Sequence, residues 1–217
     1  MFRYSSSNSF QAQLHDGWKD STNWMTGTGL CEWYGIECIP REQEATAENE
    51  YTPYTKTYND NSRITGVKLS DNNIIMRTIP AEFGSSALSE LLSLDIEDNE
   101  IGGTLLKTLG NLPKLRDLLL GGNKFVGTLP NSYESMSNLH QLNLAKNQLE
   151  GSIPTSWNQL TKLRFFKLSH NSLTGTIVPH FFSKMRSLGK IFLESNNFRG
   201  SLPVSLGTLT DLRTYRN

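Results

Sequence analysis

LHQLNLAKNQLEGSIP, residues 139–154, is one copy of a phrase that recurs along most of the chain. Downstream come LRFFKLSHNSLTGTIVP from Leu163 and LGKIFLESNNFRGSLP from Leu188. Upstream lie LRDLLLGGNKFVGTLP from Leu115, LLSLDIEDNEIGGTLL from Leu91 and ITGVKLSDNNIIMRTIP from Ile64. The landmark asparagines are Asn72, Asn99, Asn123, Asn147, Asn171 and Asn196, separated by 27, 24, 24, 24 and 25 residues. A period held this closely over six copies defines a repeat array, in which each unit stacks on its neighbours. A seventh copy begins at Leu212 and runs as LRTYRN to Asn217.

Each landmark has a mechanical role. The alternation LxL predicts a short strand with Leu142 and Leu144 inward and Gln141, Asn143 and Ala145 outward. Asn147 follows where the chain turns away, and its amide can both donate to and accept from main-chain groups there. Repeated at one register, the asparagines are expected to form a ladder. Gly151 supplies freedom for the next bend, and Pro154 stops a helix from running through it. Trp157 and Leu160 then close the far side over the core.

The bulk properties exclude some partners. Lys plus Arg and Asp plus Glu both number 21, a formal net charge of zero that gives no support to a nucleic-acid partner. No apolar run of roughly 18 residues or more exists in this chain, so no membrane-spanning segment is expected. Nor does the start, MFRYSSSNSFQAQLHDGW, hold an apolar run of signal-peptide length. At the other end Leu206, Leu209 and Leu212 would face a repeat that does not follow, so a longer polypeptide is expected. Cys31 and Cys38, in CEWYGIEC, are close enough to pair as a local disulfide; two reduced core cysteines are the alternative. The spacing fits no zinc site.

The repeat, with its LxGxIP extension after the asparagine, resembles the plant-type leucine-rich repeat family. The resemblance covers residues 63–217, six repeats and a truncated seventh. Upstream, HDGWKDSTNWMTGTGLCEWYGIEC resembles the cap that precedes such repeats, with its CxWxGxxC motif at Cys31, Trp33, Gly35 and Cys38. Residues 1–38 are therefore expected to be an amino-terminal cap covering the first repeat, with Trp18, Trp24 and Trp33 as its bulk. Residues 39–62, acidic at first and then rich in Thr and Tyr, read as a loop or insertion. Three copies depart from the pattern: Arg77 stands for the Gly, Leu106 for the Pro, and Val178 is inserted before Pro179. The resemblance implies an α/β solenoid, a right-handed curved superhelix with a parallel β-sheet on its concave face and a disulfide-bearing cap.

No catalytic motif is present, neither HExxH, GxxxxGK[ST] nor GxSxG, and the four histidines are scattered. GGNK, residues 121–124, falls in the turn register of the other copies. Asp95, Glu97 and Asp98 cluster without the concave pocket that acid–base chemistry needs. No enzyme activity, cofactor or metal is expected. The strand register makes an acidic group early on the concave face (Asp95, Glu97, Asp98, Asp117) and a basic and aromatic group late. Asn143, Lys146, Arg164, Phe165, Lys167, Lys190 and Phe192 are the candidate ligand-binding residues, since aromatics beside cations are enriched among interface anchors.

The resemblance implies a recognition module similar to the ectodomain of a leucine-rich-repeat receptor-like protein or kinase. It would bind a protein or peptide ligand by its concave or lateral face, outside the cell or at its surface. Two alternatives are a secreted inhibitor of foreign hydrolases, resembling the polygalacturonase inhibitors, and an intracellular scaffold, which would need Cys31 and Cys38 reduced.

Overall fold

The computed structural model describes residues 36–39 and 63–217. Most of the expected cap and of the 39–62 segment, including Cys31, lies outside the described residues.

In chain order the strands are β1 (Ile36–Ile39), β2 (Arg63–Lys68), β3 (Ile75–Met76), β4 (Ser93–Asp95), β5 (Glu100–Ile101), β6 (Asp117–Leu119) and β7 (Val126–Thr128). There follow β8 (Gln141–Asn143), β9 (Gln148–Gly151), β10 (Phe165–Lys167), β11 (Ser172–Gly175), β12 (Lys190–Phe192), β13 (Asn197–Phe198) and β14 (Thr214–Arg216). The principal sheet has eight strands in the order β1-β2-β4-β6-β8-β10-β12-β14, with β1 from ahead of the repeats and one strand from each of the seven copies. Every pair from β2 onward is parallel. The partial seventh copy thus supplies a full strand. Cys38 lies in β1, which pairs antiparallel with β2 and runs one residue past the expected cap boundary, so Ile39 belongs to the sheet rather than to the loop. Among the described residues no cysteine is free.

The core is one continuous column from Val67 to Leu209 rather than a set of separate nuclei. The consensus leucines of successive copies, such as Leu118, Leu142, Phe166 and Ile191, stack with no exposure to solvent. On the side opposite the sheet, short 3-10 turns such as Thr155–Gln159 replace longer helices. Trp157 fills the layer there. Its ring stacks on Tyr133 at 5.9 Å, and its indole N–H donates to the Pro130 carbonyl at 3.0 Å, one repeat back.

The asparagines form their ladder through the main chain. Asn147 Oδ1 accepts from the Phe125 N–H at 2.9 Å, and its Nδ2 donates to the carbonyls of Leu120, Leu144 and Ala145. Asn99, Asn123, Asn171 and Asn196 repeat the scheme. Each side chain ties its own turn to the preceding repeat and satisfies polar groups that the turn would bury. Asn72 is buried at the same register. One residue before each of these asparagines the backbone is left-handed, at Asp71, Asp98, Gly122, Lys146, His170 and Ser195, with φ between 49° and 67°. GGNK is therefore a turn, as its register predicts.

A second structure was not expected from the sequence. After the asparagine, β7, β9, β11 and β13 pair in parallel as a four-stranded lateral sheet, and β3 pairs with β5. Glycines at the bends of the repeat, such as Gly151 at φ 77°, close these short strands.

Candidate functional site

The concave sheet presents two outward columns, because alternate residues of each strand share a face and the strands are in register. One column runs Gly66, Ser93, Asp117, Gln141, Phe165, Lys190, Thr214. The other runs Lys68, Asp95, Leu119, Asn143, Lys167, Phe192, Arg216. A third column was expected to point outward but does so unevenly: Ala145 and Ser169 are each only 1% exposed. The strands have ended before this position, so strict alternation no longer holds. Small residues there are roofed over, as at Gly121, where an added Cβ would come within 3.0 Å of the Asn143 and Glu97 side chains.

Of the candidate residues, Phe165 and Phe192 come together. Their ring centroids lie 5.6 Å apart across the diagonal between β10 and β12, and both rings are half-buried. Lys190 Nζ stands 5.7 Å from the Phe165 centroid and Arg216 Cζ 5.6 Å from that of Phe192, giving a cation–ring–ring–cation row. Cations over aromatic faces hold the rings in place while leaving their edges free. Lys167 lies beside Phe192 in the second column. Arg164 lies just before β10 and lines a shallow hollow of about 370 Å³ with Phe165, Gly189, Lys190, Arg213 and His140.

Two candidates stand apart. Asn143 is already engaged: its Nδ2 donates to Glu97 Oε1 and its Oδ1 accepts from the Ala145 N–H at 3.1 Å. Lys146 sits in the left-handed turn beyond the end of β8 rather than on the sheet. Three residues of the patch were missed. Arg213 and Arg216 belong to LRTYRN, and carrying the repeat register into that stub would have placed them beside Arg164 and Phe192. His140 occupies the same row as Arg164, one repeat earlier, and its Nδ1–H donates to the Asn138 carbonyl at 2.7 Å.

The early end of the face is acidic and carries its charge reluctantly. Burial, followed by the neighbouring Asp95 and Asp98 charges, pushes the Glu97 carboxyl above its ordinary range; Lys167 and the Asn143 hydrogen bond oppose this. Burial likewise raises Asp95. Among the described residues no group of His, Cys, Asp and Glu could hold a metal ion, and no helix is long and apolar enough to cross a membrane.

The Leucine Rich Repeat family model matches residues 138–160 and 162–185. No curated protein matches the chain. Among solved structures, the chain is 34% identical to the plant peptide hormone receptor RGFR1 in complex with RGF2, with a TM-score of 0.61 over 64% of this chain and 22% of that one. It is 27% identical to PEPR1 in its complex with AtPEP1, at a TM-score of 0.71 over 94% of this chain and 25% of that one. The BIR2 ectodomain from Arabidopsis thaliana is 26% identical, at a TM-score of 0.69 over 88% of this chain and 90% of that one. The chain thus spans about a quarter or less of the RGFR1 and PEPR1 chains and nine-tenths of the BIR2 ectodomain.

Proposed function

Because the chain is a leucine-rich-repeat protein whose fold is that of plant receptor ectodomains, we propose that it is a non-catalytic module recognising a peptide or protein ligand on its concave face. The observation that carries this reading is the Phe165–Phe192 pair with its flanking cations. The rings expose apolar area on a face where a polar side chain would be better solvated, and aromatic residues and Arg are the types enriched at binding interfaces. The similarity to the plant peptide hormone receptor RGFR1 in complex with RGF2 supports the same reading.

The test is a Phe165→Ser, Phe192→Ser double substitution. Peptides selected by the folded chain from a random display library should bind the wild-type protein saturably and the variant at least about ten-fold more weakly, since hot-spot aromatics contribute ~2 kcal/mol or more when truncated. An unchanged melting temperature shows that the fold survives. Unchanged affinity in the variant would overturn the proposal.

The module is proposed to work outside the cell or at its surface, with residues 1–38 as a cap closed by Cys31 and Cys38. That Cys38 is not free supports the pairing. Thiol titration of denatured, unreduced protein should find no reactive thiol; two would favour an intracellular scaffold.

A further inference from the structure

We propose that the hollow at the entry edge of the concave sheet seats an acidic side chain of an extended peptide, held between Arg164, Lys190 and Arg213 against the Phe165 ring. This rests on the reading that the aromatic patch binds a peptide, and it adds the charge of that peptide and where the charge sits.

From the third copy on, the residue after the first leucine forms a row: Arg116, His140, Arg164, Gly189, Arg213. Its backbone is held in place. The carbonyl of His140 accepts from the N–H groups of Arg164 and Phe165, that of Arg164 from Gly189 and Lys190, and that of Gly189 from Arg213 and Thr214. The side chains therefore rise at intervals of about 4.8 Å, the separation of the strands. Glycine interrupts the row. In that row Arg164 and Arg213 are left two strands, or about 10 Å, apart with no side chain from Gly189 between them.

The backbone does not demand that glycine. An added Cβ would meet only the Asp211 and Arg164 carbonyl oxygens at 3.6 and 3.7 Å, ordinary contact distances, and no positive φ is involved. The gap leaves a site whose walls are cationic. Among the described residues the ion pairs belong to Arg63, Lys68, Lys114 and Lys124, so Arg164, Lys190 and Arg213 have no carboxylate partner.

Guanidinium groups on two sides suit a carboxylate, which accepts paired N–H donors in their plane. The Phe165 wall lowers the local dielectric and packs against the methylenes that carry the acid. Phe165 belongs both to the hollow and to the ring pair, so an acidic residue seated in the hollow can place an apolar residue two positions along the same strand, on the same face, against the rings. That combination of a charge with an apolar side chain on the same face favours a peptide over a purely anionic polymer. Asp95, Glu97 and Asp117 repel an anion from the early strands, which leaves the hollow as the place for it on this face.

The experiment titrates the protein, by fluorescence anisotropy, with acetylated, amidated Glu–Leu peptides, in which a Ser separates each Glu from the next Leu so that both share one face, and with their Gln–Leu counterparts. Blocking both termini restricts the charge to side chains. The Glu–Leu peptide is expected to bind about ten-fold more tightly, and the preference should shrink as salt rises from about 0.1 M to about 1 M and the screening length falls from about 10 Å to about 3 Å. Gly189→Glu places a carboxylate in the gap. It should abolish the preference at an unchanged melting temperature, whereas Lys184→Glu, the exposed control in another part of the repeat, should leave it intact.

Equal affinity for the two peptides, or a preference that survives Gly189→Glu, overturns the inference. So does tighter binding of a uronate oligosaccharide than of the Glu–Leu peptide. If both peptides bind equally and the Phe165→Ser, Phe192→Ser variant loses both, the patch stands and only its charge preference falls. If neither peptide binds, the inference is overturned; the aromatic patch is then judged separately, by whether that variant weakens the library-selected peptides.

Discussion

Asn147 makes four hydrogen bonds to main-chain groups of two repeats, through an amide that joins an acceptor oxygen to two N–H donors on one short side chain. Asn147→Ala should lower stability by about 1–3 kcal/mol in urea unfolding, the cost of leaving buried partners unpaired; a change near zero would mean the turn is solvated. His170 shows the opposite kind of opportunity. Its φ of 57° suits glycine, as Gly122 does in the third repeat, so His170→Gly should stabilise by up to about 1 kcal/mol. The asparagine register was plain in the sequence, whereas the left-handed residue before it was not. Asp, Gly, Lys, His and Ser all occupy that position, and no composition rule flags a lysine or histidine at positive φ. Glu97 makes a prediction about pH. Burial favours its neutral form, so its contribution is present below the ordinary carboxylate pKa and is lost as pH rises through the folded value. Glu97→Gln keeps an acceptor for Asn143 and should raise the melting temperature at pH 7, with the gain closing as pH falls towards 4.

At the scale of the element, the period-two strands and the leucine column follow from alternation alone, because an inward residue in one copy can only meet its counterpart in the next. The lateral sheet of β7, β9, β11 and β13 was harder to see. Its strands are two to four residues long, and glycines and polar residues dilute their pattern. Only repetition makes them regular, since QLEG at 148–151 and SLTG at 172–175 each carry one buried leucine between exposed neighbours. Trp157 ties the layer of 3-10 turns together, and Trp157→Ala should cost ~3–5 kcal/mol by differential scanning calorimetry and denaturant unfolding, combining a large cavity with a stranded Pro130 carbonyl. A loss below about 1 kcal/mol would show that the 3-10 turns collapse to fill the space.

Over the whole molecule, repetition makes a face rather than a pocket, and its charge runs from acidic at Asp95 and Asp117 to basic at Arg164, Lys190, Arg213 and Arg216. The candidate patch was half legible. Phe165 and Phe192 were found by register alone, but their contact, and the hollow left by Gly189, depend on how the strands sit side by side. Lys146 and Asn143 fit the same register and yet belong to a turn and to an internal hydrogen bond. What remains decisive is whether the rings meet a ligand. With 4-fluorophenylalanine in place of Phe165, and separately of the buried Phe181 as control, fluorine NMR follows a titration with a library-selected peptide. The account predicts a saturable shift at position 165, tracking the binding curve, and none at 181; saturable binding with the signal at 165 unmoved would contradict it.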